Sequence, residues 1–95
     1  MAYAVITEIP GGTIDQYEAM DKAMGFSGDE EKSAGLLVHF AGVEGGVLIV
    51  VDVWGSREAY ERHVANVRRM ASVQRTVSTL PPYTHREFEL HNLVK

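Results

Sequence analysis

The stretch His39 to Trp54, HFAGVEGGVLIVVDVW, decides the fold. Two apolar runs rich in β-branched residues, LLVHFAGV and VLIVVDVW, flank Glu44-Gly45-Gly46, and glycines between such runs predict a tight antiparallel hairpin. The second strand carries large apolar side chains at both parities: Ile49, Val51 and Val53 on one, Leu48, Val50 and Trp54 on the other. A strand of that kind requires burial on both faces. The hairpin also opens on a histidine, His39, and closes on Asp52 and the chain's only tryptophan.

Working outward, AYAVITEI (Ala2 to Ile9) is a β-rich run stopped by Pro10-Gly11-Gly12, which predicts a first strand. Thr13 followed by Gln16 fits a capping box, and Ile14, Tyr17, Met20 and Met24 recur at helical spacing, so a helix is expected to about Met24. Gly25 to Gly35, GFSGDEEKSAG, has no apolar period and reads as a solvated loop. Beyond the hairpin, Ser56 caps a second and longer helix, with Tyr60, His63, Val64, Val67, Met70 and Ala71 on one face. Pro81-Pro82 ends any helix, and YTHREFELHNLV alternates as a last strand. The order is βαββαβ. Its economical packing is an α+β, ferredoxin-like fold: a four-stranded antiparallel sheet with two helices on one face. The other sheet face is then uncovered, and a second copy of the chain is expected to pack on it, sheet to sheet, enclosing a cavity between the two.

Size and charge narrow the function. With 95 residues and 45% hydrophobic content the chain is expected to form a single domain over 1–95. No cysteine is present to staple so small a core, which strengthens the expectation of a homodimer. Thirteen acidic against nine basic residues disfavour nucleic acid and anionic membranes as partners. Val47 to Val51 is too short a run to span a bilayer, and MAYAVITEIP lacks the basic start and apolar run of a secretory signal, so a cytoplasmic location is expected. Small molecules remain as partners.

The candidate chemistry lies on the hairpin. With Glu44 and Gly45 as a two-residue loop, Val43 pairs with Gly46, and His39 lies opposite Val50 and diagonal to Asp52, on the side of Trp54. A three-residue loop would put His39 on the other face. An imidazole tuned by a carboxylate can take a proton from a phenol or enol near neutral pH, and an indole beside it offers a stacking surface. The plainer alternative makes His39 and Asp52 a satisfied pair and Trp54 a core residue. Tyr60 and His63, one helical turn apart, either orient a ligand or pack on the sheet with polar tips at its rim. His85, Glu87, Glu89 and His91 share one side of the last strand but spread too far to ligate one ion, so no metal is expected. Arg62, Arg68, Arg69 and Arg75 form the water-facing side of the second helix, from which one could reach the cavity mouth to hold an anion. Phosphate-loop, dinucleotide and nucleophile-elbow motifs do not occur.

The βαββαβ order, GLLVHFAG leading through EGG to VDVWGSREAYERH, and the closing FELHNLV resemble the small dimeric α+β barrel proteins related to antibiotic biosynthesis monooxygenases. The resemblance covers nearly the whole chain and is strongest over Gly35 to His63. It implies a homodimer, with a pocket between sheet and helices in each subunit. It also implies one of several activities: cofactor-independent oxygenation of polycyclic phenols, cyclisation of aromatic polyketides, or haem degradation. By position, Trp54, Tyr60 and His63 correspond to the tryptophan ending the third strand, the aromatic residue six later and the helix histidine; in oxygenase-like members the first two line the pocket. Those members carry an asparagine four residues before the tryptophan, where this chain has Val50. AYAVITEI offers neither the iron ligand nor the asparagine of the haem-degrading members. The resulting expectation is a cofactor-independent enzyme for an aromatic or polyketide-like metabolite, with His39 and Asp52 catalytic and Trp54, Tyr60, His63 and Val50 holding the substrate. The competing expectation is a non-catalytic dimer that binds a hydrophobic ligand or serves assembly alone.

Overall fold

Turn chemistry and alternation place the strands. In the computed structural model, which describes residues 1–24 and 35–92, β1 (Tyr3–Pro10), β2 (Leu36–Glu44), β3 (Val47–Trp54) and β4 (Thr84–Glu89) form one antiparallel sheet in the order β2-β3-β1-β4. Residues 25–34, read above as a solvated loop, lie outside the described residues. Three helices join the strands: α1 (Ile14–Met24), α2 (Arg57–Arg68) and α3 (Ala71–Val77). The architecture is the expected ferredoxin-like α+β fold with one helix more than the sequence reading allowed.

The hairpin loop sets the register. Gly45 and Gly46 both take positive φ, 57° and 78°, so they form the paired left-handed turn whose twist matches the two strands it joins. Glu44 therefore pairs with Val47, and His39 falls directly opposite Asp52. The loop has the expected length but sits one residue further along, which moves the partner of His39 from Val50 to Asp52. A slide of two positions preserves the face, so His39, Asp52, Val50 and Trp54 share one side of the sheet.

The single long second helix of the sequence reading is instead two helices. Arg69 closes α2 with φ −90° and ψ −7°, and Met70 turns extended with φ −93° and ψ 107°. No glycine or proline forces this break; the apolar period does. Tyr60, Val64 and Val67 would be continued on the same face by Ala71, Gln74 and Ser78, whereas the apolar residues that follow are Val73, Val77 and Leu80. Interrupting the helix rephases the stripe and buries Val73 to 1% exposure. Met70 and Ala71, expected on the packed face, are consequently exposed. The Gln74 side-chain amide donates to the Val67 carbonyl at 3.1 Å, sharing with the Met70 backbone N–H a carbonyl at the end of α2 and tying α3 to it.

The core is thin: Ile9 and Leu48 are buried toward one end of the sheet, and a cluster lies at the other. Tyr3, Val5, Trp54 and Ala59 form that cluster, with Leu36 and Tyr60 against it. At the start of α1, Thr13 Oγ1 accepts from the Gln16 backbone N–H at 3.1 Å while Gln16 Oε1 accepts from that of Thr13 at 2.9 Å, the reciprocal capping box expected from the sequence. Yet α1 buries none of its residues. Its apolar stripe covers a cavity instead of a packed core. Among the described residues no helix stands on the opposite sheet face, and Phe40 and Phe88 are 55% and 45% exposed beside Ile6, Val38, Ile49 and Val51.

Placing alanine at both Gly45 and Gly46 should cost about 2–4 kcal/mol, since each non-glycine residue in the left-handed region costs about 1–2 kcal/mol. Urea denaturation of the double variant, read against a Gly42→Ala control, measures this; an unchanged midpoint would mean that the strands and not the turn hold the register.

Candidate active site

A cavity of about 350 Å³ lies between the sheet and the three helices. That size matches ligand sites in general. It lies on the helix side of the sheet, where the resemblance placed a pocket between sheet and helices. Val5, Thr7 and Val50 form its floor, Tyr17, Met20 and Met24 of α1 one wall, and residues of α2 and α3 the other. Aliphatic side chains make about half of its lining, and polar groups from the sheet and all three helices are set among them.

Of the polar groups His39 is the best connected. Its Nδ1 meets Asp52 Oδ1, and because a carboxylate only accepts, Nδ1 carries the hydrogen. In the neutral ring Nε2 is then an acceptor, and the Tyr17 hydroxyl donates to it at 2.7 Å. The two rings also stack, 5.7 Å apart with 18° between their planes. Asp21, one helical turn after Tyr17, brings a carboxylate oxygen to 3.3 Å from the same Nε2. The result is a chain of proton-carrying groups, Tyr17 to His39 to Asp52, with Asp21 ready to receive Nε2–H once the ring is protonated. The hydrogen bond to Asp52 is the main reason that the His39 pKa is raised above 6.5; partial burial opposes the shift, and the charges of Asp52 and Asp21 add to it. Burial, then the neighbouring Asp21, push the Tyr17 phenol well above its ordinary range, so it keeps its proton.

The other expected residues divide. Tyr60, His63 and Val50 line the cavity. Trp54 does not: it is fully buried, with His63 stacked at a tilt 4.7 Å away and Tyr60 at 6.1 Å, so it backs the wall and offers no open face to a ligand. Burial lowers the His63 pKa, which keeps that ring neutral against the tryptophan. Tyr60 donates to Glu87 Oε2 at 3.2 Å, and burial together with the Glu87 charge raises its pKa to about 12. Arg68 reaches the cavity edge, as one of the helix arginines was expected to. Among the described residues no group of three or more His, Cys, Asp or Glu side chains is arranged to hold a metal. Tyr17 and Asp21 were missed as site residues. The available signal was Asp21 itself, a carboxylate inside the stripe formed by Ile14, Tyr17 and Met24.

The sequence matches no protein-family model and no curated protein. Solved structures do match its fold. A single-residue variant of SnoaB, a cofactor-independent oxygenase from Streptomyces nogalater, superimposes with a TM-score of 0.71 at 12% identity, over 98% of this chain and 96% of that one. The monooxygenase ActVA-Orf6 of Streptomyces coelicolor, solved with nanaomycin D, gives 0.64 at 19% identity, over 99% and 90%. A dimeric ferredoxin-like protein from an uncultured marine organism gives 0.69 at 11%, over 99% and 92%. The chain has the fold of the antibiotic biosynthesis monooxygenase-like proteins. That likeness concerns the backbone, and the Tyr17–His39–Asp52 chain stands on this sequence alone.

His39 should titrate above 6.5 in an imidazole NMR experiment, and Asp52→Asn should bring its midpoint down. Because the folded value is raised, the histidine stabilises the fold fully below pH 6.5 and loses that contribution as the pH climbs through the folded value. Denaturation midpoints taken across that window should fall with rising pH in the native chain and stay flatter in His39→Gln.

Proposed function

We propose that the chain is a cofactor-independent enzyme that removes a proton from a phenol or enol of an aromatic, polyketide-like metabolite bound in the cavity. The observation that carries this reading is the Tyr17–His39–Asp52 chain opening onto a cavity floored by Val5 and Val50. A substrate hydroxyl next to Tyr17 passes its proton to the tyrosine oxygen as the tyrosine proton moves to Nε2 of His39. Asp52 and Asp21 then flank the imidazolium. The phenolate left behind is electron-rich and lies over that apolar floor, where its charge is poorly solvated, a state that favours reaction. In a monooxygenase the activated ring takes one atom of dioxygen to become a quinone, and the second atom leaves as water with the ring and hydroxyl hydrogens. In a cyclase the same anion attacks a carbonyl of its own chain. The fold shared with SnoaB and ActVA-Orf6 supports the general type.

The aliphatic half of the lining also suits a dimer that only binds a hydrophobic ligand. Turnover separates the two readings. Hydroxylated polycycles incubated with the protein in air and under argon should lose their absorbance, in air alone for oxygenation and in both for cyclisation. His39→Ala should slow that loss by about two to four powers of ten, the range for a lost general base. Tyr17→Phe should slow it by about a hundredfold if the tyrosine relays the proton. Ligand uptake with no turnover, unaffected by His39→Ala, would decide for binding alone.

The open sheet face supports the homodimer as part of this reading. Phe40 and Phe88 project from a row of aliphatic side chains, an apolar surface of the kind that marks protein contacts. The dimeric state of the ferredoxin-like marine neighbour is consistent with it. Sedimentation should show a dimer that Phe40→Glu converts to monomer; a monomeric native chain at micromolar concentration would remove the dimer from the reading.

A further inference from the structure

A second polar cluster stands at the far end of the cavity floor. Glu87 on β4 accepts from the Tyr3 hydroxyl at 2.9 Å through Oε1 and from the Tyr60 hydroxyl at 3.2 Å through Oε2, and His85 Nε2 lies 3.1 Å from Oε2. Tyr60 and His85 both line the cavity. The sheet register places this cluster in line with the first: His39 pairs with Asp52, Asp52 with Val5, and Val5 with Glu87. Adjacent strands are about 4.8 Å apart, so Glu87 lies about 10 Å from Asp52 and about 14 Å from His39 along that row. Between the two clusters the floor is Val5 and its neighbours Val50 and Thr7, with no charged group.

The direction of the hydrogen bonds gives the cluster its chemistry. A carboxylate has no hydrogen to give, so the Tyr3 and Tyr60 hydroxyls both donate to Glu87. Each spends its proton there. What Tyr60 still presents to the cavity is the lone pairs of its phenolic oxygen. A ligand group beside it must therefore be a donor. A hydroxyl satisfies it, while a methoxy or a bare ring edge displaces water and leaves the acceptor without a partner, a costly outcome in an enclosed site.

The geometry points to Tyr60, oriented by Glu87, as an acceptor pole that selects elongated ligands bearing a hydroxyl at the end remote from His39. This inference rests on the proposed reading of the cavity and names what that cavity discriminates. Glu87 acts through the tyrosine it orients and is a positioning residue.

Three probes test it: anthraflavic acid, a linear tricycle with one hydroxyl on each end ring; its monomethyl ether; and the parent with a single hydroxyl. Binding is followed by Trp54 emission and checked by calorimetry. The native chain should bind the diol about tenfold or more tighter than either mono-hydroxy probe. Glu87→Gln replaces one acceptor oxygen by an NH2 donor, freeing the Tyr60 hydroxyl to donate into the cavity, and should reduce that preference to about twofold, the statistical factor for two equal ends. Tyr60→Phe should reduce it as well, and it keeps the question answerable if Glu87→Gln does not fold. A preference that persists in both variants, with the diol still bound, overturns the acceptor pole and leaves the proton chemistry at His39 standing. Failure of all three probes to bind the native chain overturns both readings.

Discussion

Glu44 and Val47 close on a loop of two glycines, and the parity of that loop governs everything built on the sheet. One residue more would turn His39 to the open face, where neither Asp52 nor any helix could reach it. Two left-handed glycines in succession allow the tight closure, and the closure puts an imidazole directly across from a carboxylate. The proton chain, the cavity floor and the alignment with β4 all follow from the same register.

That register also explains what could be read from the sequence. Strand alternation is local, so the hairpin, the first strand and the capping box on Thr13 were legible, and the hairpin partners were displaced by only one glycine. The break between α2 and α3 was not, because no residue there forbids a helix; the cause is a change of apolar phase that shows only when Val73, Val77 and Leu80 are set against Val64 and Val67. Trp54 was assigned to the ligand because it ends the strand beside Asp52. Its burial comes from α2, whose His63 and Tyr60 lie over it. The stripe on α1 predicted a helix but not the cavity under it, because spacing cannot distinguish a packed face from one over a cavity. Glu87 was legible as a polar strand residue but not as the partner of two tyrosines, one of them 84 residues away.

The two polar clusters are built on the same plan with opposite outcomes. Each joins a carboxylate, a histidine and a tyrosine. At His39 the histidine lies between tyrosine and carboxylate, so a proton entering at one end has somewhere to go. At Glu87 the carboxylate takes the hydroxyl hydrogens of two tyrosines, Tyr3 and Tyr60, with His85 beside it, so nothing is passed on. Order within the cluster separates a conduit from a clamp.

The ceiling of the cavity has a consequence of a different kind. α1 buries no residue, and its inward face is made by Tyr17, Met20 and Met24. Methionine is unbranched and polarizable, with three rotatable bonds, and it adjusts its shape to what lies under it. The sheet, with its fixed register, is a rigid anvil; the helix above it is padded. Guests of unequal thickness can thus be accommodated by rearranging two thioether side chains. Tyr17 stands on the same helix, one turn from Met20, and its hydrogen bond to His39 ties that padded wall to the sheet, so the breadth of acceptable guests and the proton path share one element.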